Sequence, residues 1–198
     1  MNVNRIFCIG KNYAEHVQEL AHLGHAPDGD CVVFMKPPSC IVPVGIPLKL
    51  PRDAGSIHHE AELVLRLDGA GSVSHLALGL DLTLRELQTA LKNKGKPWEL
   101  AKSFDGAAPL GAWTPYRGED LQALEFTCHV NDALRQHAKT RDMLFPVARI
   151  LEILKKSWAP LEGDVIYTGT PAGVGPLVPG DRIELAGAGC TPCAWTCS

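Results

Sequence analysis

The chain has 198 residues, 45% of them hydrophobic and 21% charged, with a formal net charge of -3. That length suits one domain with a sizeable core, and the weak negative charge speaks against nucleic acid as a partner. No apolar run approaches the roughly 20 residues that cross a bilayer, and no leader pattern is read at the N-terminus, so no membrane partner is expected and the expected compartment is cytoplasmic.

In chain order, short apolar runs alternate with turn residues, and 15 prolines and 19 glycines point to a loop-rich β architecture. Strands are expected at Arg5–Ile9, Val32–Lys36, Ala61–Leu67, Ala77–Leu82, Leu124–Val130, Ala133–Lys139, Asp164–Thr168 and Asp181–Leu185. Asn131-Asp132 reads as a tight hairpin turn. One helix is expected over about Tyr13 to Leu23, with Asn12 as its N-cap. A second runs from Thr83 as N-cap through Leu87 and Leu91 to Gly95. A third starts near Pro146 and sets Val147, Ile150, Leu151 and Leu154 on one face, closing on Lys155 and Lys156. Strands with inserted helices and no repeat make the class α+β, predominantly β, over a single domain 1–198. Seven cysteines fit no even framework. Cys8, Cys31, Cys40 and Cys128 read as small buried hydrophobes in a reducing compartment. Cys190 and Cys193 form a C-x-x-C pair without a second pair nearby, and with Cys197 read as ordinary thiols on a last strand and frayed end.

The chemistry concentrates at His58-His59-Glu60-Ala61-Glu62-Leu63. In a strand, residues two apart share a face, so Glu60 and Glu62 point the same way. Two such anions stay ionised only with a cation between them or on a wet face. Asp81 ends a candidate strand just before a helix, where it either points into a site or caps the helix. Together the three would be an all-oxygen set suited to Mg²⁺ or Mn²⁺, with Ca²⁺ also admitted. His58 has the same parity, so zinc is not excluded by spacing. Lys102 can neutralise charge beside such a set or hold a substrate oxyanion. Arg85 and Gln88 share a helix face and either orient a polar substrate or are solvated. His16 and Glu19 are also three apart, the arrangement of a His–carboxylate base. Thr168-Gly169-Thr170-Pro171-Ala172-Gly173 is a glycine-rich turn whose N–H groups and Thr170 hydroxyl suit a carboxylate, or simply a tight structural turn.

Taken in order, these segments resemble the fumarylacetoacetate hydrolase family. The likeness rests on Gly10-Lys11-Asn12-Tyr13 with His16 and Glu19, Lys36-Pro37, His59-Glu60-Ala61-Glu62-Leu63, Asp81-Leu82-Thr83 with Arg85 and Gln88, Ala101-Lys102-Ser103-Phe104, and Thr168-Gly169-Thr170-Pro171. It is greatest for the short acylpyruvate hydrolase and oxaloacetate decarboxylase type. The resemblance implies a mixed β-roll with a few short helices and a homodimer. It implies Mg²⁺ or Mn²⁺ on Glu60, Glu62 and Asp81, and a 2-oxo acid lined by Lys102, Arg85, Gln88 and Thr170. A lid within about residues 1–20 would bring in His16 and Glu19 to activate water. The expected reaction is C–C hydrolysis of acylpyruvate-type 2,4-dioxo acids through an enolate held by the metal. Oxaloacetate decarboxylation, or isomerisation of a hydroxyheptadienedioate-type diacid in aromatic catabolism, is the alternative. A non-catalytic oxo-acid or metal binder is a further one, which an intact His16–Glu19 pair argues against. The stretch between Glu62 and Asp81 is short for the family, which bears on the pocket wall or dimer contact.

Overall fold

Strand alternation builds the core. In β5 (Ala61–Leu67) and β6 (Val73–Leu80), Leu63, Leu65, Leu76, Leu78 and Leu80 face one way, into the larger apolar core, while Val64 and Ala77 face the other. That is the period of two that a strand with both faces covered requires. The structure is a computed structural model and describes residues 2–19 and 30–198. Around the β5–β6 hairpin an eight-stranded sheet forms. It adds β1 (Ile6–Gly10), β2 (Val32–Lys36), β3 (Ile41–Pro43), β8 (Ala108–Leu110), β9 (Thr114–Pro115) and β12 (Val165–Tyr167), in the order β2-β1-β12-β5-β6-β8-β3 with β9 beside β6. A four-stranded antiparallel sheet of β10 (Glu125–Val130), β11 (Ala133–Lys139), β14 (Arg182–Gly187) and β15 (Cys190–Thr196) packs Phe126, Cys128, Ile183, Leu185 and Trp195 onto the same core. β4 (Ile57–His59), β7 (Thr83–Leu84) and β13 (Gly175–Leu177) make a small third sheet. Helices α1 (Ala14–Glu19), α2 (Arg85–Asn93), α3 (Glu99–Lys102) and α4 (Val147–Lys155) complete the fold. It is mostly β with a few helices, as the sequence implies.

Several boundaries differ from expectation. Thr83 does not cap α2: its backbone pairs with His58 in β7, its hydroxyl donates to Asp81 O at 3.0 Å, and the helix begins at Arg85. Asn12 does not cap α1 either. Its amide bonds Thr168 O at 2.7 Å and Phe145 O at 3.2 Å, and its oxygen accepts from Phe145 N–H at 2.6 Å, tying three chain segments together. The part of that expected helix from Leu20 to Leu23 lies outside the described residues. The strand expected at Ala77–Leu82 is Val73–Leu80, because the hairpin register extends it backwards through polar Ser74 and His75. Its earlier end puts Asp81 just beyond the strand. The C-terminus is not frayed: Ser198 N–H donates to Leu48 O at 2.8 Å and Ser198 O accepts from Leu50 N–H at 3.0 Å. Of the segment expected to hold a lid, β1 is a buried interior strand between β2 and β12.

Candidate active site

The hairpin register makes the centre of the site. Ala61 pairs with Leu80, so the residues just beyond, Glu60 and Asp81, are neighbours, and Asp81 N–H donates to Glu60 O at 2.8 Å. Glu62 stands two strand positions beyond Glu60, on the same face. Each of the three offers an oxygen within 4.8 Å of the other two, and all are buried. His58, despite its parity, is not among them; its Nδ1 faces Arg85 Nε at 3.4 Å.

Three buried cations surround the carboxylates. Lys102, the last residue of α3, donates to Glu60 Oε2 at 2.7 Å and Asp81 Oδ2 at 2.6 Å, with its ammonium 5.1 Å from the Phe34 ring centroid. Arg85 opens α2 and donates from Nη2 to Glu60 Oε1 and from Nη1 to Gln88 Oε1 at 2.7 Å. Lys36, which ends β2, lies 2.7 Å from Asp81 Oδ1 and also donates to the carbonyls of Leu82 and Lys102.

The carboxylates respond in opposite directions. Burial pushes the Glu60 carboxyl up, but the Lys102 and Arg85 charges outweigh it and hold the group well below the usual range. Burial also pushes Glu62 up, and here the neighbouring Asp81 adds to it, leaving the group well above the usual range. Burial would lower Lys102, yet Asp81 and Glu60 keep it above an ordinary lysine. His58 is pushed down to about 4, by burial first and then by Arg85.

This arrangement fits a divalent cation. Asp81 Oδ1 is buried, and the Lys36 ammonium beside it is not aligned as a hydrogen-bond donor. Glu62 accepts a single hydrogen bond among the described residues, from Gly169 N–H to Oε2 at 2.7 Å. A buried carboxylate with so few donors and an anionic neighbour is stabilised by a cation. The donor set is all oxygen, the preference of hard ions.

A His–Glu pair opens onto the same cleft. His16 Nδ1 lies 3.3 Å from Glu19 Oε2, and Glu19 Oε1 accepts from Gly173 N–H at 3.0 Å. Burial pushes Glu19 up, but these two bonds and the His16 and Arg85 charges together hold it below the usual range. His16, the acidic trio, Lys102, Gln88, Thr170, Lys11, Phe34 and Trp98 line the cleft.

Two expected substrate contacts are otherwise engaged. Arg85 directs one N–H from each of its three nitrogens to Glu60, Gln88 and His58 and does not line the cleft. The Thr170 hydroxyl donates to Ala61 O at 2.9 Å and accepts from Gln136 Nε2 at 2.8 Å, while the turn's N–H groups hold the protein's own Glu62 and Glu19. Gln88 is well placed instead. Arginine only donates, so the Gln88 oxygen must face Arg85, which leaves its amide N–H₂ for the cleft.

The sequence reading gave no role to Lys36 or Gln136. The signal for Lys36 is a charge closing an otherwise apolar strand. For Gln136 it is a polar side chain at the inward parity of β11, where Ala138 is also buried while Leu134 is exposed.

Fold and site together define a curled β protein with a buried carboxylate trio able to hold a divalent cation, a cationic surround and a His–carboxylate pair at its mouth. The chain belongs to the fumarylacetoacetate hydrolase family: the family model described as fumarylacetoacetate (FAA) hydrolase C-terminal matches residues 5–196. It is 35% identical to oxaloacetate tautomerase YcgM of Escherichia coli K12, over 92% of this chain and 88% of that protein. It is 39% identical to the mitochondrial oxaloacetate tautomerase FAHD1 of Mus musculus, over 90% of this chain and 85% of that protein. Among solved structures, fumarylpyruvate hydrolase from Pseudomonas aeruginosa in complex with Mn²⁺ and pyruvate superposes with a TM-score of 0.90 at 30% identity, covering 98% of this chain and 89% of that one. These family members are enzymes. Among the described residues, no helix is long and apolar enough to cross a membrane.

Proposed function

We propose that this protein is a divalent-metal-dependent enzyme of small 2-oxo acids whose first reaction is the keto–enol interconversion of oxaloacetate. The observation that carries this reading is the opening of the His16–Glu19 pair onto the cleft that holds Glu60, Glu62 and Asp81. Oxaloacetate tautomerases among the relatives support it. Tautomerisation was not among the reactions drawn from the sequence, yet it asks less of the site than hydrolysis does, because it moves one proton and breaks no C–C bond.

Mg²⁺ or Mn²⁺ on the trio would supply Lewis-acid polarisation of the substrate's 2-oxo group. The side chains do the rest. His16 Nδ1 is committed to Glu19, so the other ring nitrogen takes the proton from C3, and Glu19 stabilises the imidazolium. The same ring returns the proton to the 2-oxygen, so no atom is gained or lost. Lys102 stands beside the carboxylates with two of its three N–H groups used, which leaves one for the developing oxyanion. The Gln88 amide donates to a substrate carboxylate.

Hydrolysis of acylpyruvates is the second reading, favoured by the likeness to the fumarylpyruvate hydrolase structure. There His16 would deprotonate a water that attacks the distal carbonyl; the C–C bond breaks, and the protonated ring returns the proton to C3 of the leaving pyruvate. A cytoplasmic homodimer completes the proposal: the dimer rests on the family likeness, and seven unpaired cysteines suit a reducing compartment. The test is the enol absorbance of oxaloacetate and the cleavage of acetylpyruvate, each with Mn²⁺ and with EDTA. Metal-dependent acceleration of enol decay supports the tautomerase reading. Acetylpyruvate cleavage without it would transfer the assignment to the hydrolase, and inactivity on both would refute a 2-oxo acid enzyme.

A further inference from the structure

Gln136 belongs to β11, in the four-stranded sheet, yet its side chain crosses to the site and is almost wholly buried, at 1% exposure. Every hydrogen-bonding position of its amide is spent there. Oε1 accepts from Ala61 N–H at 3.0 Å and meets His59 Nδ1 at 3.1 Å. Nε2 donates to Thr170 Oγ1 at 2.8 Å and Pro171 O at 2.9 Å. The orientation is forced, because a backbone N–H can only donate and a proline carbonyl can only accept. Since Oε1 is an acceptor, His59 must carry its proton on Nδ1.

Both ends of that amide grip backbone that presents functional carboxylates. Ala61 lies between Glu60 and Glu62. Thr170 and Pro171 lie in the turn whose Gly169 N–H holds Glu62 and whose Gly173 N–H holds Glu19. The turn also rests directly on β11. Gly173 has φ +97, and a Cβ there would lie 1.9 Å from Arg135 O, so nothing larger than glycine permits the approach.

We propose that Gln136 is a positioning residue of the site, a clamp that fixes the β4–β5 junction against the Gly169–Gly173 turn and thereby sets a metal-ligand carboxylate, Glu62, and the carboxylate behind the base, Glu19, at once. The metal half of this inference rests on the functional reading above. The clamp itself does not.

The experiment compares Gln136→Met with Gln122→Met. Gln122 also bridges two segments, through Thr140 O and Val147 N–H, but touches no part of the site. Three quantities are read in each: thermal stability, Mn²⁺ affinity by calorimetry, and hydrogen exchange of the Gly169 and Gly173 amides in metal-free protein. Both variants are expected to lose stability. Only Gln136→Met should weaken Mn²⁺, by roughly 10-fold, the low end of the effect of losing a direct partner of a metal ligand because Gln136 acts through the backbone that carries Glu62, and only it should speed exchange at both glycines. Equal behaviour of the two variants in affinity and exchange would reduce Gln136 to a structural residue and overturn the proposal. Should Gln136→Met fail to fold, Thr170→Val, which removes only the hydroxyl between Gln136 and Ala61, is held to the same affinity and exchange criteria. If the wild type binds no Mn²⁺, the metal reading fails, and the amide exchange still decides the clamp.

Discussion

Two buried aspartates, Asp164 and Asp81, show how this fold separates structure from chemistry. Asp164, ahead of β12, is completely enclosed and fully supplied. Oδ1 accepts from Asn4 Nδ2 at 3.1 Å and Arg5 Nε at 2.9 Å, and Oδ2 from Arg5 Nη2 at 2.5 Å and Leu161 N–H at 2.8 Å. Four donors on two oxygens, with a bidentate guanidinium, leave nothing for a ligand. Asp81 is as deeply buried but held differently: Lys102 donates to Oδ2, the Lys36 ammonium lies 2.7 Å from Oδ1 without the alignment of a donor, and two further carboxylates stand beside it. A buried carboxylate given every donor it can use holds the chain together. One short of aligned donors and set in a cluster of like charges is open to a further cation.

Exchanging the roles of the two residues by mutation would break this comparison. Asp81→Ala should abolish stoichiometric Mn²⁺ binding, a loss beyond the roughly 10–100-fold that follows from an outer-shell partner. Calorimetric titration checks it, and binding at full stoichiometry would remove Asp81 from the ligand set. His16→Ala should keep the metal and lose about 10²–10⁴-fold in turnover, read as kcat for oxaloacetate enol decay at saturating Mn²⁺. Unchanged kcat would end its role as base. Asp164→Ala should do the reverse of Asp81→Ala. It should cost about 3 kcal/mol of stability, the low end for a broken buried pair, because the Arg5 side chain retains 24% exposure. Urea denaturation measures that loss, and Mn²⁺ affinity of the folded variant should not move.

The same contrast explains what was legible in the sequence. Glu60, Glu62 and Asp81 stood out because a charge next to apolar strand residues is costly and conspicuous, and His16 with Glu19 because their helical spacing is short-range. The long strand β5 was readable from its apolar run, and β11 from the Asn131-Asp132 turn that sets it off from β10. Of the two- and three-residue strands only β12 was read, within Asp164–Thr168; β3, β4, β7, β8, β9 and β13 were not, since so short a run carries no period and is set by its partner. Lys36 and Gln136 were passed over for a related reason. Their roles are defined by atoms far away in sequence, as when Gln136 meets Ala61 across 75 positions. A spacing rule sees the carboxylates but not what holds them.

The finest test of the comparison is Glu62→Gln. The folded-state pKa of Glu62 is raised, by burial first and then by Asp81. A raised pKa means the folded protein binds this proton more tightly than the unfolded chain does. The associated stability is therefore full below the unfolded pKa and lost as pH rises through the folded one. Metal-free wild type should lose stability over that rise, and Mn²⁺ should restore it while expelling the proton, so Mn²⁺ affinity should climb with pH over the same interval. Gln keeps the shape and the acceptor for Gly169 N–H but carries no charge. The metal-free variant should lack that alkaline loss and exceed wild type there by about 0.5–2 kcal/mol, the usual gain from a single stabilising substitution. Denaturation curves across pH, with EDTA and with Mn²⁺, measure both. A Glu62→Gln protein that is less stable than metal-free wild type at alkaline pH would place Glu62 with Asp164, as a carboxylate whose charge the fold already satisfies.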